Sequence, residues 1–307
     1  MKALVTGGAG FIGSNIVKLL VAEGHETTVL DNLSSGSLTN LSAFKHVRFI
    51  EGDIRAPETV AEAMRGTDTV FHLAASVGNK RSIDFPLEDA SINVIGTLHV
   101  LEAARRVGVR KVVFSSSAGI FGELKTLPIR EDHAVEPDTP YGASKLGAEK
   151  ACLAYAKLYP IECVCLRYFN VYGVNQRYDA YGNVIPIFAH RILHQQPVTI
   201  FGDGEQTRDF VNVRDVARAN YNAAKSHEVS GAFNLGAGSR ISINALAHMM
   251  YQTIGQTPAI EYAPPRPGDV RDSLADVGAA RARFDYQPSV SLNEGMREYL
   301  SWASTAF

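Results

Sequence analysis

A glycine-rich turn between an apolar strand and a helix is the feature that most limits the fold of this chain. The stretch "KALVT" at 2–6 is typical of a short buried strand, and "TGGAGFIG" continues from it with glycines at positions 7, 10 and 13. A tight turn needs residues that tolerate a positive φ, and the next helix offers free N–H groups and a partial positive charge at its N-terminus. These features suit a pyrophosphate, although the spacing is GxxGxxG rather than the GxGxxG of the dinucleotide fingerprint. Taken alone, the same turn could simply join a strand to a helix.

An acidic residue at the end of the second strand strengthens the dinucleotide interpretation. Asp31 closes the strand-like stretch "ETTVLD" and follows Gly13 by 18 residues. A carboxylate there can accept both ribose hydroxyls of NAD and would repel the 2′-phosphate of NADP, and no arginine adjoins it in the chain. Asp53 and Ile54, which end the third strand, are expected to border the adenine. The sequence therefore predicts NAD as the cofactor.

Strands and helices alternate through the first half of the chain. This alternation implies right-handed βαβ crossovers and a parallel sheet that is covered on both faces. We predict an α/β fold, with a Rossmann-type doubly wound parallel sheet over residues 1–169 and a smaller, interleaved C-terminal α/β substrate lobe over 170–307. Part of 200–236 is expected to return to the main sheet. The predicted strands are 2–6, 26–31, 47–53, 69–75, 111–117 and 161–169, and the main predicted helices are 11–23, 87–107 and 141–159.

The composition limits the partners that the protein can have. Apolar residues make up 46% and charged residues 20% of the 307 positions, and the net charge is −2, so no general field attracts nucleic acid or an anionic membrane. No apolar run approaches the length that spans a bilayer, and no secretory signal is recognisable. We therefore expect a cytoplasmic protein without nucleic-acid or membrane partners.

Cysteine and histidine spacings give little support for a disulfide framework or a metal site. The three cysteines are Cys152, Cys163 and Cys165, an odd number without a CxxC pair, and buried packing is the favoured interpretation. His190 and His194 are four residues apart on a predicted helix, which is a spacing that can bind metal. Neither a glutamate next to the first histidine nor a third ligand accompanies them, so no metal site is predicted.

A tyrosine and a lysine at helical spacing are the candidate catalytic pair. Tyr141 and Lys145 in "TPYGASK" are four residues apart at the start of a predicted helix, so their side chains share one face. A phenol has a pKa of about 10, and a nearby ammonium and a nicotinamide cation would both favour its phenolate. The pair could then act as a base. Alone, such a pair is as easily a surface contact.

Together these motifs resemble the extended short-chain dehydrogenase/reductase family, and the resemblance spans nearly the whole chain. The pattern is most similar to that of the UDP-galactose and UDP-N-acetylglucosamine 4-epimerases. The resemblance implies NAD in the Rossmann half and a nucleoside diphosphate sugar in the C-terminal lobe. The stretches that carry it are "TGGAGFIG" (6–13), "DNL" (31–33), "HLAA" (72–75), "SSSAGIFG" (115–122), "YGASK" (141–145), "RYFNVYG" (167–173), "GDGEQTRDFVNVRDV" (202–216) and "RPGDVRDSLAD" (266–276).

The resemblance assigns roles to the residues of the predicted cofactor and catalytic sites. Tyr141 would remove the proton of the C4 hydroxyl, Lys145 would hold the ribose and lower the pKa of Tyr141, and Ser117 would hydrogen-bond the sugar oxygen. Family members that eliminate water carry carboxylates where this chain has Ala118 and Gly119, which favours an epimerase. The expected cofactor-binding residues are Gly7, Gly10, Phe11, Ile12, Gly13, Asp31, Asn32, Asp53, Ile54, Leu73, Ala74, Ala75, Tyr141 and Lys145.

The resemblance also predicts how the nucleotide sugar is held. Asn170 would contact the diphosphate or the sugar, Asn183 and Val184 would line the uridine pocket, and Asp269 would accept the uridine ribose hydroxyls. Guanidinium groups suit phosphate oxygens, so Arg208 and Arg266 would hold the diphosphate. Ser273 stands where a tyrosine restricts related epimerases to glucose and galactose, so N-acetylated sugars are expected to enter.

The sequence leaves open the roles of three residues after "HLAA", the exact reaction and the assembly. "GNK" at 78–80 follows "HLAA", where many relatives have a serine in place of Gly78, and the directions of Asn79 and Lys80 do not follow from the sequence. UDP-glucuronate 4-epimerase, another dehydratase or decarboxylase of the same scaffold, and a non-catalytic dinucleotide sensor are the alternative functions. The helices at 87–107 and 141–159 carry faces that could form a homodimer, which is the expected assembly.

Overall fold

Alternating strands and helices form a parallel sheet in the computed structural model, which describes residues 1–179, 182–265 and 270–307. The chain first alternates strands and helices and then forms a long helix followed by a sixth strand. These elements are β1 (Lys2–Thr6), α1 (Phe11–Ala22), β2 (Glu26–Asp31), β3 (Arg48–Glu51), α2 (Pro57–Ala63), β4 (Thr69–His72), α3 (Asn79–Asp84), α4 (Pro86–Ala90), a π-helix (Ser91–Gly96), α5 (Thr97–Val107), β5 (Lys111–Ser117), α6 (Pro140–Leu158) and β6 (Glu162–Tyr168).

The second half of the chain contributes both to this sheet and to a smaller lobe. Its described elements are β7 (Asn170–Tyr172), α7 (Val184–Leu193), β8 (Val198–Phe201), β9 (Thr207–Arg208), β10 (Phe210–Asn212), α8 (Val213–Lys225), β11 (Gly231–Leu235), β12 (Ile241–Ser242), α9 (Ile243–Ile254), β13 (Ile260–Ala263), α10 (Gly278–Phe284) and α11 (Leu292–Ala306).

The order of the strands confirms the predicted doubly wound fold. Within the described residues, the large sheet has seven strands in the order β11-β6-β5-β4-β1-β2-β3, and every neighbouring pair is parallel. The chain proceeds outward from β1 to β3 and then outward again from β4 to β6. The direction of winding therefore changes between β1 and β4, and a crevice forms at the carboxyl ends of these two strands. Open α/β sheets bind their ligands at such a switch point.

Helices cover both faces of the large sheet. Apolar side chains of α1 and α8 pack on one face, and those of α2, α5 and α6 pack on the other. The three cysteines are free and buried, as expected, and lie in the second of these cores. Because α8 and β11 come from the second half of the chain, the large sheet and its covering layers are built from both halves.

The smaller lobe has its own core between short strands and three helices. β8 pairs with β13, β7 pairs with β10, and β9 pairs with β12. Side chains from α7, α9 and α11 pack against these strands and form a separate apolar cluster. Among the described residues, no helix is both long and apolar enough to cross a membrane.

Two predicted elements differ from the structure at the edge of the crevice. The predicted helix at 87–107 is divided into α4, a π-helix and α5. The wider π turn shifts the register of the helix by one residue. The strand predicted at 69–75 ends at His72. Leu73 N still donates to Thr6 O (3.0 Å) as the last bond of the ladder with β1, whereas Ala74 N donates to the side chain of Thr6, at Oγ1 (3.3 Å).

Candidate active site

The glycine turn between β1 and α1 forms a tight cradle at the crevice. Gly7 has a φ of +69°, and a Cβ there would lie 2.7 Å from Ala74 N, so only glycine allows the turn to approach the end of β4 so closely. A Cβ at Gly13 would lie 2.1 Å from the carbonyl oxygen of Gly7. Gly10 is the N-cap of α1. The first N–H groups of a helix have no partner within it, so this turn offers donors at the mouth of the crevice.

Asp31 lies beside this turn and can accept further hydrogen bonds. Its carboxylate is buried, Oδ2 accepts from Ala9 N (2.9 Å), and Oδ1 accepts from Leu33 N (2.8 Å). Each carboxylate oxygen has about two acceptor positions, so one remains on each for a diol. The pair of free acceptor positions and the glycine cradle fit the ribose and the pyrophosphate of a dinucleotide.

The residues at the end of β3 form a polar cluster next to Asp31. Asn32 Nδ2 donates to Asp53 Oδ2 (3.0 Å), and Arg55 Nη2 lies 2.7 Å from the same carboxylate. The hydrogen bond from Arg55 lowers the pKa of Asp53 to about 2. An arginine therefore does lie near Asn32 in space, although none adjoins Asp31 in sequence. Asp53 already neutralises it, which leaves it less available to a 2′-phosphate. Ile54 is buried and packs toward Gly96.

The end of β5 and the start of α6 bring together Ser117, Gly119 and Tyr141. Thr139 Oγ1 accepts from Gly142 N (3.2 Å) and caps α6, so Tyr141 lies in its first turn. Ser117 Oγ accepts from Gly119 N (3.1 Å), and the Ser117 hydroxyl also acts on the Tyr141 phenol, whose pKa it lowers. A Cβ on Gly119 would lie 3.3 Å from Ser117 Oγ and 3.6 Å from the Tyr141 ring.

Without a cofactor, burial in the protein shifts the pKa values of Tyr141 and Lys145 toward their uncharged forms. Burial raises the pKa of Tyr141, and the hydrogen bond from Ser117 only partly opposes this effect. Burial also lowers the pKa of Lys145 to about 8, and its Nζ lies 4.4 Å from the centre of the Phe114 ring. The predicted effect of Lys145, which is to lower the pKa of Tyr141, therefore has to act against burial, because removing a phenolate from water is costly.

A buried polar network next to this pair was missed at the level of sequence. Asp89 on α4 and Asn93 in the π-helix contact Ser144, which lies between Tyr141 and Lys145 on α6. The spacing of Asp89 and Asn93 could have indicated this network, because two polar residues four apart share one face of a predicted helix. His72 belongs to the same network, and both of its ring nitrogens bond threonine hydroxyls, those of Thr6 (2.7 Å) and Thr97 (2.9 Å).

The "GNK" stretch has a conformational reason for its glycine. Gly78 has a φ of +113°, which side chains rarely adopt, so the serine of many relatives would be strained there. Asn79 Oδ1 accepts from Thr139 Oγ1 (3.2 Å), in front of the catalytic helix, whereas Lys80 Nζ lies 2.9 Å from Asp84 on the same helix α3. The two side chains therefore contact different parts of the protein.

The predicted sugar-nucleotide residues lie on several elements of the smaller lobe. Arg208 is on β9, and Ser273 N donates to Thr207 O (3.2 Å), so the two expected contacts are neighbours. Asn170 Nδ2 donates to the carbonyl oxygen of Asp209 (3.2 Å). A different element holds Asn183 and Val184, which are the N-cap and the first residue of α7. Arg266 and Asp269 lie outside the described residues.

The histidine pair that was considered for metal binding is part of an aromatic stack. The ring centroids of His190 and His194 are 4.3 Å apart, and His190 also stacks on Tyr178 at 4.2 Å. The chain uses these rings for packing at the surface of α7.

Comparisons with known proteins show the family of the chain. The family model described as the NAD dependent epimerase/dehydratase family matches residues 3–236. A UDP-glucose 4-epimerase from Mycolicibacterium smegmatis is 40% identical over 301 residues, which are 96% of each chain.

Solved structures cover the whole chain at high similarity. One is a UDP-N-acetylglucosamine 4-epimerase from Methanobrevibacter ruminantium in complex with UDP-N-acetylmuramic acid, with a TM-score of 0.96, 34% identity and coverage of 100% of this chain and 99% of that one. Another is a UDP-glucose 4-epimerase from Thermus thermophilus in complex with NAD, with a TM-score of 0.91, 38% identity and full coverage of both chains. On the family model and these relatives, the chain belongs to the NAD dependent epimerase/dehydratase family.

Proposed function

We propose that this protein is a UDP-sugar 4-epimerase that interconverts UDP-glucose with UDP-galactose and UDP-N-acetylglucosamine with UDP-N-acetylgalactosamine. The observation that carries the proposal is the composition of the site around Tyr141. A candidate base and a hydroxyl from Ser117 adjoin there, and the next positions of the chain, Ala118 and Gly119, carry no acid. Such a site can support proton transfer at one hydroxyl group. It lacks the extra acid that the elimination of water requires.

The cofactor-binding residues of the proposal are those of the crevice. The first turn of α1 and the glycine cradle would hold the pyrophosphate, and the two free acceptor positions of Asp31 would hold the adenosine ribose. Lys145, on the same face of α6 as Tyr141, would hold the second ribose. When bound, NAD supplies a hydride acceptor and a positive ring charge, and the latter opposes the raised pKa of Tyr141.

Tyr141 and Ser117 would divide the proton chemistry. Tyr141 Oη takes the proton of the C4 hydroxyl during oxidation and returns it during reduction. Ser117 Oγ donates a hydrogen bond to the same sugar oxygen and keeps it in place in the keto state. The 4-keto sugar then rotates within the site and takes the hydride back on its other face, which inverts C4. Because every proton and hydride that leaves the sugar returns to it, no net redox change occurs and the cofactor is expected to stay bound.

Ser273 supports the wider substrate range. Its side chain is buried beside Thr207 and adjoins the strand that carries Arg208. A tyrosine at this position would add a full aromatic ring, which is more volume than an acetamide group needs. A serine occupies much less of that volume than a tyrosine, which favours entry of a C2 acetamide as well as a C2 hydroxyl.

Product analysis by proton NMR tests the proposal. Purified protein would be incubated separately with UDP-galactose, UDP-N-acetylgalactosamine and UDP-glucuronate, and the stereochemistry at C4 would be read from the products. We expect the first two substrates to be epimerised. Turnover of UDP-galactose without turnover of the N-acetylated sugar would contradict the role of Ser273. Turnover of UDP-glucuronate alone would show that the substrate is UDP-glucuronate and not the proposed UDP-hexoses.

A Tyr141→Phe variant separates an enzyme from a sensor. Loss of a general base typically costs about 10²–10⁴-fold in rate, and the ring without its hydroxyl keeps its packing. We therefore expect kcat to fall by about that factor while the NAD content of the purified protein is unchanged. A kcat equal to that of the wild type would exclude Tyr141 as the base.

A further inference from the structure

A buried carboxylate lies directly beside the catalytic helix. Asp89 on α4 is 1% exposed, and its Oδ1 accepts from Ser144 Oγ at 2.5 Å. Asn93 Nδ2 donates to its Oδ2 at 3.2 Å. Both donors are neutral, and the described contacts of this carboxylate include no lysine or arginine. A buried charge is costly unless something compensates it, so a compensating cation is expected nearby.

Asn93 connects this carboxylate to two walls of the crevice. Its Nδ2 donates to Ser144 Oγ (3.0 Å) and to Ser76 O (3.1 Å), and its Oδ1 accepts from Ser76 N (2.9 Å). Ser76 follows β4, and Ser144 lies between Tyr141 and Lys145 on α6. The network therefore fixes the first turns of the catalytic helix relative to the end of β4.

The groups that face Lys145 differ in the charge that they offer. The acids that act on it are Asp89 from α4 and Glu149 from α6 itself, and the thiols of Cys152 and Cys165 also face it. Glu149 is already neutralised, because Arg167 Nη2 lies 2.8 Å from its Oε1. Burial raises the pKa of Cys165 well above its usual value, which leaves that thiol neutral.

The remaining neighbour of Lys145 is a neutral histidine. Thr97 Oγ1 donates its hydrogen to Asn93 O (2.6 Å), so it must accept one from His72 Nε2. His72 Nδ1 then accepts from Thr6 Oγ1 (2.7 Å), which fixes the neutral tautomer. Burial, with a smaller contribution from Lys145, lowers the pKa of this histidine to about 3. Asp89 is therefore the carboxylate among these groups that no arginine neutralises.

We propose that Asp89 is a positioning residue of the epimerase reaction, which anchors the first turns of α6 through Ser144 and supplies the buried counter-charge that keeps Lys145 an ammonium. This inference rests on the proposed function, because the ammonium is needed there to hold the cofactor ribose and to favour the Tyr141 phenolate. Asp89 itself contacts neither Tyr141 Oη nor the sugar in this scheme. It acts through Ser144 and through its charge, which favours the Lys145 ammonium and by itself also raises the pKa of Tyr141.

The test compares Asp89→Asn with Glu88→Gln, which removes the same charge from the exposed neighbouring residue of α4. Protonation of Lys145 is followed directly by NMR of ¹³C-lysine protein, with Lys145→Met to assign its signal. Because the charge of Asp89 raises the pKa of Lys145, which burial lowers to about 8, loss of this carboxylate is expected to lower the Lys145 midpoint by about one pH unit. At pH 8 such a shift reduces the fraction of Lys145 that is an ammonium about five-fold. The pH above which kcat declines is expected to fall by the same amount. Glu88→Gln is expected to change neither quantity.

Each result supports or overturns the inference separately from the proposed function. A Lys145 midpoint that is equal in Asp89→Asn and Glu88→Gln overturns the counter-charge. A Ser144→Ala variant with the kcat of the wild type overturns the anchor. If Asp89→Asn does not fold, Asp89→Ser removes the same charge and leaves a hydroxyl for Asn93. Wild-type protein that epimerises no UDP-sugar, together with a lowered midpoint in the variant, would refute the proposed function and support the buried counter-charge.

Discussion

His72 makes the stability of the protein depend on pH through a single buried ring. Its pKa in the folded state is lowered to about 3, mainly by burial, whereas an unfolded histidine titrates near 6.5. Above about pH 6.5 both states are neutral, and the stability is fully present. As the pH falls below 6.5, only the unfolded state takes up the proton, so stability is lost progressively down to about pH 3.

We expect the free energy of unfolding to fall by about 2 kcal/mol between pH 7 and pH 5 through this residue alone. The measurement is urea unfolding at both pH values for the wild type, for His72→Gln and for the exposed His227→Gln. The His72 variant is expected to be less stable at pH 7 and to lose most of this pH-dependent difference. A His72 variant with the same dependence as the His227 variant would show that the proton is taken up elsewhere.

The sequence predicted the residues that motifs mark, and it missed the buried polar network of Asp89, Asn93 and His72, whose members meet across elements. The spacing of Tyr141 and Lys145 follows from the period of a single helix. His72 meets Thr6 only because β1 and β4 pair with these two residues opposite each other, and a register of this kind depends on the whole sheet. The raised pKa of Tyr141 has the same origin, because the depth of burial is set by packing.

At the level of elements, the glycine turn joins β1, β4 and α1 through backbone contacts that side chains would prevent. The position of Gly13 is the most restrictive, because its Cβ would lie 2.1 Å from the backbone oxygen of Gly7 in a turn that cannot yield as a side chain does. The helix would have to move away from the strand. That movement would displace the N–H groups that form the proposed pyrophosphate site.

Gly13→Ala is therefore expected to lower the NAD content of the purified protein by at least about ten-fold and its stability by about 1–3 kcal/mol. The NAD released on denaturation, counted per protein chain, measures the first effect, and thermal unfolding measures the second. Gly147→Ala is the matched control, because that Cβ would meet Val94 Cγ2 at 3.8 Å, an ordinary contact in an exposed part of α6. Equal NAD contents in the two variants would contradict the role of the turn.

Element boundaries were predictable where local signals dominate and less so at the crevice. Asp31 ends β2 as expected, and α6, which Thr139 caps, begins at Pro140, one residue before the predicted start. The strand after Thr69 was predicted too long, because the residues that follow His72 are apolar like a strand, whereas Ala74 N bonds the side chain of Thr6 and not a backbone carbonyl. The π-helix lies where a regular helix was predicted. It places Asn93 in contact with Ser76 and Ser144, and because these contacts join distant parts of the chain, the local sequence does not reveal them.

At the scale of the whole molecule, the two halves of the chain are interwoven. The strand Gly231–Leu235 pairs with Glu162–Tyr168 at the edge of the large sheet, and the helix Val213–Lys225 packs against α1. The stretch after β7 also returns to the first half, where Asn15 Nδ2 donates to Val174 O (3.0 Å) and Asn175 Nδ2 to Ser14 Oγ (3.0 Å). This helix directly follows β10 and this strand precedes β12, so both are joined in the chain to elements of the smaller lobe, and unfolding of that lobe would loosen their attachment.

We accordingly expect both lobes to unfold in one cooperative transition, and the chain carries a natural probe in each. Trp302, its single tryptophan, packs against the core of the smaller lobe, whereas all three cysteines are buried in a core of the large sheet. Tryptophan fluorescence and thiol labelling should give the same urea midpoint, because two-state unfolding makes every probe report one equilibrium. The comparison is made without and with excess NAD, which is expected to move both midpoints upward together. A tryptophan transition that precedes thiol exposure would mean that the smaller lobe unfolds alone, and the interwoven strand and helix would then not couple the two lobes.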